Sequence, residues 1–555
     1  MSTAPSRWTP GCDPAVNRPE DSIIFSPVRL LLIRLGPPVA LVALTILVVA
    51  FSTGRGGGDR TAVAAGQPLV DPNSPRPKIP RRAITVMILM DEFPVDALLD
   101  KSGQIDRVRY PNFASLAATG TWFRNASTVY DSTTKAIPEV LDGKFPRRGG
   151  DATFRSHPRS VYDLFGQRGY RIVRNEEATS ICPPRYCRGA RPRRPAILPQ
   201  LARGRRERLE RFIGSIAPGK PGFYFKHVLL PHAPYLFLPS GRQTRPSFKD
   251  PVPGMNSPRG FGDRFLTDHN QQRLLLQIGF MDRELGKLFT RMRRNGTFDT
   301  SLIALTADHG MAFEVGVKDR RTATRSNVDE IAPVPMFIKA PGQRRGRTDR
   351  SYMRTIDLVP TMADVLNFKL PYRAGGRSAF SRAVKRRRFV RMIKRDFSGT
   401  ITVSARTMES RRRALVRRKL ALFGSGDFST LYTGIGPNRQ LIGRRAADLR
   451  PAGQGRVRAS IVGADLIRAQ TPRQFLLPSQ VAGPVRGGAR GARRDVAVAV
   501  NGRIEAVGRT FYLRGSKQES FAVMVPEIAI RPGPNSVEVF EVPKGGTSLR
   551  LIGRS

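Results

Sequence analysis

Three apolar runs between residues 83 and 310 break off abruptly at polar residues, and this pattern constrains the fold more than any other feature of the chain. AITVMILM (83–90) stops at Asp91 and Glu92, FYFKHVLLPHAPY (223–235) carries His232, and TSLIALTADHG (300–310) ends on Asp308 and His309. Uncharged or nearly uncharged runs of this length, rich in Val, Ile and Leu, read as strands buried on both faces. Between them YPNFASLAATG (110–120) and SVYDLFGQRGY (160–170) read as helices closed by Gly, the second followed by the strand-like RIVRNE (171–176). RLLLQIGFMDRELGKLFTRMRRNG (273–296) has the period of an amphipathic helix. Strands alternating with helices predict an α/β domain with a mixed, mostly parallel sheet covered by helices. In such sheets ligands bind beyond the carboxyl ends of the strands, where Asp91, His232 and Asp308 fall.

The flanking segments have other textures. Residues 1–27 read as a polar cytoplasmic leader and 28–53 as one transmembrane helix, because LGPPVALVALTILVVAFST (35–53) carries no charge and matches the ~20 residues that span a hydrocarbon core. A cleaved signal peptide is the rival reading, with AVAA (62–65) as a small-residue cleavage site. Residues 54–82 are a Gly-, Pro- and Arg-rich linker, and 83–385 form the α/β catalytic domain. Residues 395–555 read as a β-rich C-terminal region, with a hairpin around Asn501-Gly502 and short strands in FAVMVP (521–526) and NSVEVFEV (535–542).

Lys and Arg total 94 against 44 Asp and Glu, a formal net charge of +50. That field favours an anionic lipid or cell-envelope polymer, nucleic acid or a phosphorylated substrate. No nucleic-acid-binding motif accompanies it, so membrane and envelope partners are expected; oligomeric state is not legible. Of three cysteines, Cys182 and Cys187 in ICPPRYC are close enough to close a disulfide, which would place the body of the chain in an oxidising, extracytoplasmic compartment.

YDSTTKAIPEVLDGKFP (130–146) sets three hydroxyls, Ser132, Thr133 and Thr134, before an apolar turn. Read locally, they either cap a helix or supply a nucleophile at a helix start, where backbone donors face an incoming anion. Together with ILMDEFP, LLPHAPY, TADHG and TIDLVPTMADVL (355–366), this stretch resembles the alkaline phosphatase/sulfatase superfamily, in the family's order across about residues 83–380, and within it the bacterial membrane-anchored proteins that carry a sulfatase domain.

The resemblance implies an alkaline phosphatase-like fold and a divalent metal ion (Mn, Mg, Zn or Ca) beside a covalent nucleophile. The family's nucleophile stands ten residues before a Gly that precedes a basic or aromatic residue and Pro; Gly143, Lys144, Phe145 and Pro146 match that ending and point to Thr133. Ser132 and Thr134 stay open as alternatives. Asp91, Thr133, Asp308 and His309 match the metal set, with Glu92 able to share or replace Asp91, and Gly310 expected to let the backbone turn away. His232 matches a histidine that assists the leaving oxygen. His227 reads as packed, and His269 with Asp282 as candidates for a second metal site. Sulfatases proper follow a Cys or Ser nucleophile with Pro-Ser-Arg; TTKAI has neither the oxidisable residue nor the Arg. The reading is therefore a membrane-anchored, extracytoplasmic hydrolase or phosphotransferase acting on phosphoester rather than sulfate ester groups. A catalytically inactive, basic envelope-binding protein on the same fold is the alternative.

Overall fold

The structure, a computed structural model, describes residues 84–245, 251–256, 261–317, 319–471 and 474–555. The expected leader (1–27), transmembrane helix (28–53) and linker (54–82) lie outside the described residues. Among the described residues no helix is long and apolar enough to cross a membrane.

The main sheet has seven strands, β1 (Thr85–Asp91), β2 (Thr121–Phe123), β3 (Arg171–Asn175), β4 (Gly222–Pro231), β5 (Leu302–Ala307), β6 (Met336–Lys339) and β7 (Arg347–Asp349), in the order β3-β4-β1-β5-β6-β2-β7. The β3/β4, β4/β1, β1/β5 and β2/β7 pairs are parallel, whereas β6 runs antiparallel to both β5 and β2. All three apolar runs noted in the sequence are strands, and they lie side by side: β4, β1 and β5 form the sheet centre, each buried along its whole length.

Alternation along β1 assigns its side chains to two faces. Met87 and Leu89 pack with Ile137 and Leu141 of α2 (Thr133–Asp142, after α1, Pro111–Thr119) and with Tyr162 and Phe165 of α3 (Val161–Gly166). Val86, Ile88 and Met90 face Phe113 of α1 and, beyond the short α4 (Ile197–Ala202), Leu209 and Phe212 of α5 (Arg205–Ser215) and the long α6 (Arg264–Arg294). Each fully buried Leu or Phe of this kind contributes roughly 1.5–3 kcal/mol.

Helix ends are finished by groups far away in sequence as well as near. Asp263 caps α6 by accepting from the Leu266 amide at 3.0 Å, and Arg291, Arg293 and Arg294 in its last turn complement the helix dipole. Asp282, in the middle of α6, accepts from the amides of Asn112 (2.9 Å) and Phe113 (2.8 Å) and so caps α1.

Beyond the α/β part, an antiparallel hairpin, Phe389–Ile393 with Thr400–Ser404, leads into a helix, Ala405–Phe423, before the remaining C-terminal strands. One sheet contains Asp495–Val500, Arg503–Arg509, Val537–Val542 and Ser548–Arg554; another contains Gln480–Arg486 and Glu519–Met524. The hairpin turns on Asn501 (φ 52°) and Gly502 (φ 78°), both in the left-handed region that such two-residue turns require. Val481, Phe521 and Val523 share a continuous apolar core with α6 and the back of the main sheet.

Candidate metal centre

The carboxyl ends of β1, β4 and β5 converge because the pairing there is irregular. β1 stays in register with β4 up to Met90, then shifts so that Asp91 lies opposite Pro231, which brings the end of β1 beside His232. The amide of Asp308 donates to Met90 O at 3.0 Å and that of Phe93 to His309 O at 2.8 Å, tying the ends of β1 and β5 together. Gly310 continues this contact. Its φ is not in the left-handed region; instead a Cβ there would sit 2.3 Å from Glu330 O. The glycine is needed for close approach rather than for the turn its sequence context suggests.

Thr133 enters from the first turn of α2. Ser132 is the N-cap residue but its side chain makes no capping bond, so capping is not what this hydroxyl cluster does. The turn is held instead by Asp131, which accepts from Ala323 N (2.8 Å) and Arg395 Nε (3.0 Å). Of the three adjacent hydroxyls, all among the described residues, it is Thr133 Oγ1 that reaches the centre, 3.3 Å from Asp91 Oδ1 and 3.4 Å from His309 Nε2. Gly143 closes α2 in the left-handed conformation (φ 67°).

Asp91, Asp308 and His309 are all buried and present ligand atoms within 4.8 Å of one another. His309 Nδ1 faces Gly310 O at 2.8 Å and so carries the hydrogen, leaving the Nε2 lone pair turned to Thr133. Asp308 Oδ1 accepts from the amides of Glu92 (3.0 Å) and His309 (2.6 Å), while its Oδ2 is buried with no hydrogen-bond partner. Burial, then repulsion from Asp308 and Glu92, raises the Asp91 carboxyl well above the usual range. Two crowded carboxylates, an orphaned oxygen, an imidazole lone pair and a hydroxyl form a donor set that fits a divalent cation.

Glu92 does not join this set. Its carboxylate turns to Arg320, with contacts of 2.9–3.2 Å, and to His232 Nε2 at 3.4 Å. Burial pushes Glu92 up, but Arg320, His232 and Arg321 together outweigh it and hold the group well below the usual range. The expectation that Glu92 shares the metal role of Asp91 is thus corrected: its charge is already neutralised.

His232 stands just past β4 between two cis X-Pro bonds, Leu230-Pro231 and Ala233-Pro234. Its loop is clamped from two helices. Arg205 of α5 donates to Leu229 O (3.2 Å), His232 O (2.8 Å) and Pro234 O (2.6 Å), and Gln277 Nε2 of α6 donates to Pro231 O (2.9 Å) and His232 O (3.1 Å). His232 Nδ1 bonds Ala233 O, which leaves Nε2 as the atom that gives or takes a proton. Burial, opposed by Glu92, pulls its pKa down to about 4.

One other reading is corrected. His269 and Asp282 are thirteen positions apart on one helix, about 20 Å along its axis, so they cannot share an ion. His269 bonds Gln272 (3.1 Å) and Gln480 (3.2 Å), and Asp282 caps α1. His227 is buried as expected, without a hydrogen bond, and its Nε2 lies 3.8 Å from Asp91 Oδ2. Sequence reasoning also missed the clamps Arg205 and Gln277, whose only local signal is a polar residue on a helix face that is otherwise buried.

Residues 84–368, just over half of the 555-residue chain, match the family model described as Sulfatase. The chain belongs to the sulfatase family. This sulfatase-family chain is 28% identical to arylsulfatase K of Bos taurus over 97 residues, 18% of this chain and 17% of the relative. It is 30% identical over 100 residues to the multifunctional alkaline phosphatase superfamily protein PehA of Trinickia caryophylli, 18% of this chain and 19% of the relative. The matched stretch thus spans less than a fifth of the length of these curated relatives. Among solved structures, the phosphonate monoester hydrolase from Silicibacter pomeroyi superposes with a TM-score of 0.39 at 16% identity, covering 58% of this chain and 82% of that one.

Two arginine-bearing loops of this sulfatase-family domain are tied to the helix that carries Thr133. Lys135, two residues after Thr133, donates to the carbonyls of Gly149 and Gly150, anchoring the loop 147–159 to the start of α2. That loop is joined to the loop 180–194 through the Phe154 amide to Ser180 O (2.7 Å) and Arg185 Nη2 to Pro158 O (2.9 Å). The second loop is closed by the expected disulfide, Cys182–Cys187. Arg147, Arg155, Arg188, Arg191, Arg193 and Arg194 are exposed on these loops, and no ion pair engages them among the described residues.

Proposed function

We propose that this chain is a metal-dependent ester hydrolase or phosphotransferase that acts through a covalent intermediate on Thr133. Its substrate is a phosphoester group of an anionic lipid or cell-envelope polymer, and its working compartment is outside the cytoplasmic membrane to which the apolar run 35–53 anchors it. The observation that carries this reading is the position of Thr133 Oγ1, 3.3 Å from Asp91 Oδ1 and 3.4 Å from His309 Nε2 at the carboxyl end of the sheet.

Asp91, Asp308, His309 and Thr133 would hold the ion. When bound, a divalent cation supplies the charge that favours the alkoxide of a threonine and neutralises an attacked phosphoryl group. Thr133 Oγ forms a bond to phosphorus as the ester P–O bond breaks, the Thr133 hydroxyl proton is released to solvent, and the departing oxygen takes up a proton from water held at His232 Nε2. Arg321, partly exposed and 3.5 Å from Glu92 Oε1, adds positive charge at the mouth. Water, or the hydroxyl of an acceptor, then displaces Thr133 from phosphorus. TTKAI lacks the residues of a formylglycine sulfatase, which supports phosphorus over sulfur as the attacked atom.

The arginine-bearing loops favour one further reading, a catalytically inactive protein that only retains envelope polyanions. Mass spectrometry separates the two. The full-length chain, incubated with phosphomonoesters, phosphodiesters and sulfate esters and quenched in acid, is expected to carry a phosphoryl group on the peptide containing Thr133. An unmodified peptide under conditions of turnover, or turnover retained by Thr133→Ala, would reject the covalent reading.

A further inference from the structure

His227 is the histidine whose environment the proposed chemistry leaves unexplained. It lies in β4 opposite Leu89 of β1, fully buried, with neither Nδ1 nor Nε2 hydrogen-bonded. The other four histidines of the chain all have partners: His157 with Asp142, His232 with Ala233, His269 with Gln272, and His309 with Gly310. A dry imidazole with both nitrogens unpaired is unfavourable, and an apolar side chain of similar size would remove that cost.

The register explains where the ring points. Phe223 and Phe225 of β4 belong to the apolar cluster on the α2 face, so His227, next in the same alternation, faces that side too. Asp91 stands at the end of β1, just past the register shift after Met90, and lies beside this ring. His227 Nε2 accordingly lies 3.8 Å from Asp91 Oδ2, too far for a hydrogen bond and near enough to make one after a small side-chain rotation. Asp91 Oδ1, meanwhile, is on the Thr133 side.

We propose that His227 is a positioning residue for the cation site: its Nε2–H engages Asp91 Oδ2, fixing the carboxylate so that Oδ1 stays directed at the ion and Thr133. This rests on the metal-dependent reading above. Carboxylates that ligate metals are themselves hydrogen-bonded, and removing such a support typically costs 10–100-fold in affinity.

The test uses manganese(II) as probe and the full-length chain. Titration calorimetry of wild type, His227→Leu, His227→Gln and Asp308→Asn is combined with thermal unfolding without metal. His227→Leu is expected to bind manganese(II) about 10–100-fold more weakly while its metal-free melting temperature is unchanged or higher. His227→Gln, which keeps a donor near Nε2, is expected to recover much of the affinity. Turnover by the Leu variant is expected to recover at high manganese(II), so the loss appears in the metal requirement and not in kcat. Wild-type affinity in His227→Leu overturns the proposal, as does an equal loss in both His227 variants with a lowered melting temperature. Failure of wild type to bind the ion, or retention of the ion by Asp308→Asn, instead overturns the metal-dependent reading itself.

Discussion

Arg320 grips Glu92 through both carboxylate oxygens, at 3.0 and 2.9 Å from Nη2, across 228 positions of sequence. Glu92 sits at φ 55°, a left-handed conformation that a non-glycine residue holds only when its surroundings demand it. The pair therefore takes the second of two consecutive carboxylates away from Thr133 and turns it toward His232. Arg320→Met is expected to leave a buried charge short of its main partner and to destabilise the fold by about 3–5 kcal/mol, with Glu92→Gln in the same chain recovering most of the loss. Urea unfolding of the two single variants and the double variant checks this; a single-variant loss below about 1 kcal/mol, as for an exposed pair, would contradict it.

Gly310→Ala places a methyl group 2.3 Å from Glu330 O and 3.2 Å from Pro94 Cα, both backbone atoms that yield poorly. The strain falls on the residue after His309. The expected result is a loss of about 1–3 kcal/mol in stability, typical of overpacking, together with a loss of turnover. Kinetics and thermal unfolding on one preparation measure both, and wild-type values for each would show that the contact is not tight.

Glu177 links stability to pH. Burial raises its pKa, but Lys226 and Arg208 outweigh that and hold it at about 2, below the unfolded value near 4.5. A depressed carboxylate contributes stability that is complete above about pH 4.5 and lost as pH falls through 2. Glu177 also accepts from the Leu229 amide at 3.0 Å, so the strand leading to His232 depends on it. Wild type is expected to lose stability steeply between pH 4.5 and 2, and Glu177→Gln, weaker by about 3–5 kcal/mol at pH 7, to lose less over that interval. Unfolding midpoints across the pH series decide it; parallel acid slopes would contradict the assignment.

Arg188, Arg193 and Arg194 replaced together by Ser are expected to raise KM several-fold for a polyanionic substrate and to leave turnover of a small phosphoester unchanged. The effect should shrink as salt rises, because it comes from exposed charge. Steady-state kinetics at two ionic strengths test this. An equal loss on both substrates would place these arginines in the folding or chemistry of the centre.

The strand-to-site logic was legible because an apolar run that leaves a buried sheet must end in residues that tolerate the rim, and Asp91, His232 and Asp308 stand at those ends. The α6 period and the Asn501-Gly502 turn were legible for equally local reasons. What local pattern does not carry is pairing between distant groups. His227 sits inside an apolar run and is packed as it reads, but only the register of β4 against β1 shows that it stands beside Asp91. Glu92 follows Asp91 and reads as a ligand until Arg320 claims it. Asp282 is a plausible acid on a helix until the amides of Asn112 and Phe113 are found on it. The helix Ala405–Phe423 was not read from the sequence, because its many Arg and Lys leave only a narrow apolar stripe.

The central claim is that Asp91, Thr133, Asp308 and His309 hold one divalent cation between them. Elemental analysis of the purified full-length chain after dialysis tests it most directly, read against Asp91→Asn and Asp308→Asn prepared in the same way. One divalent ion per wild-type chain, with much less in either variant at unchanged secondary structure, is the predicted result. A wild-type chain that is active yet metal-free, or variants that keep the full complement of the ion, would contradict it.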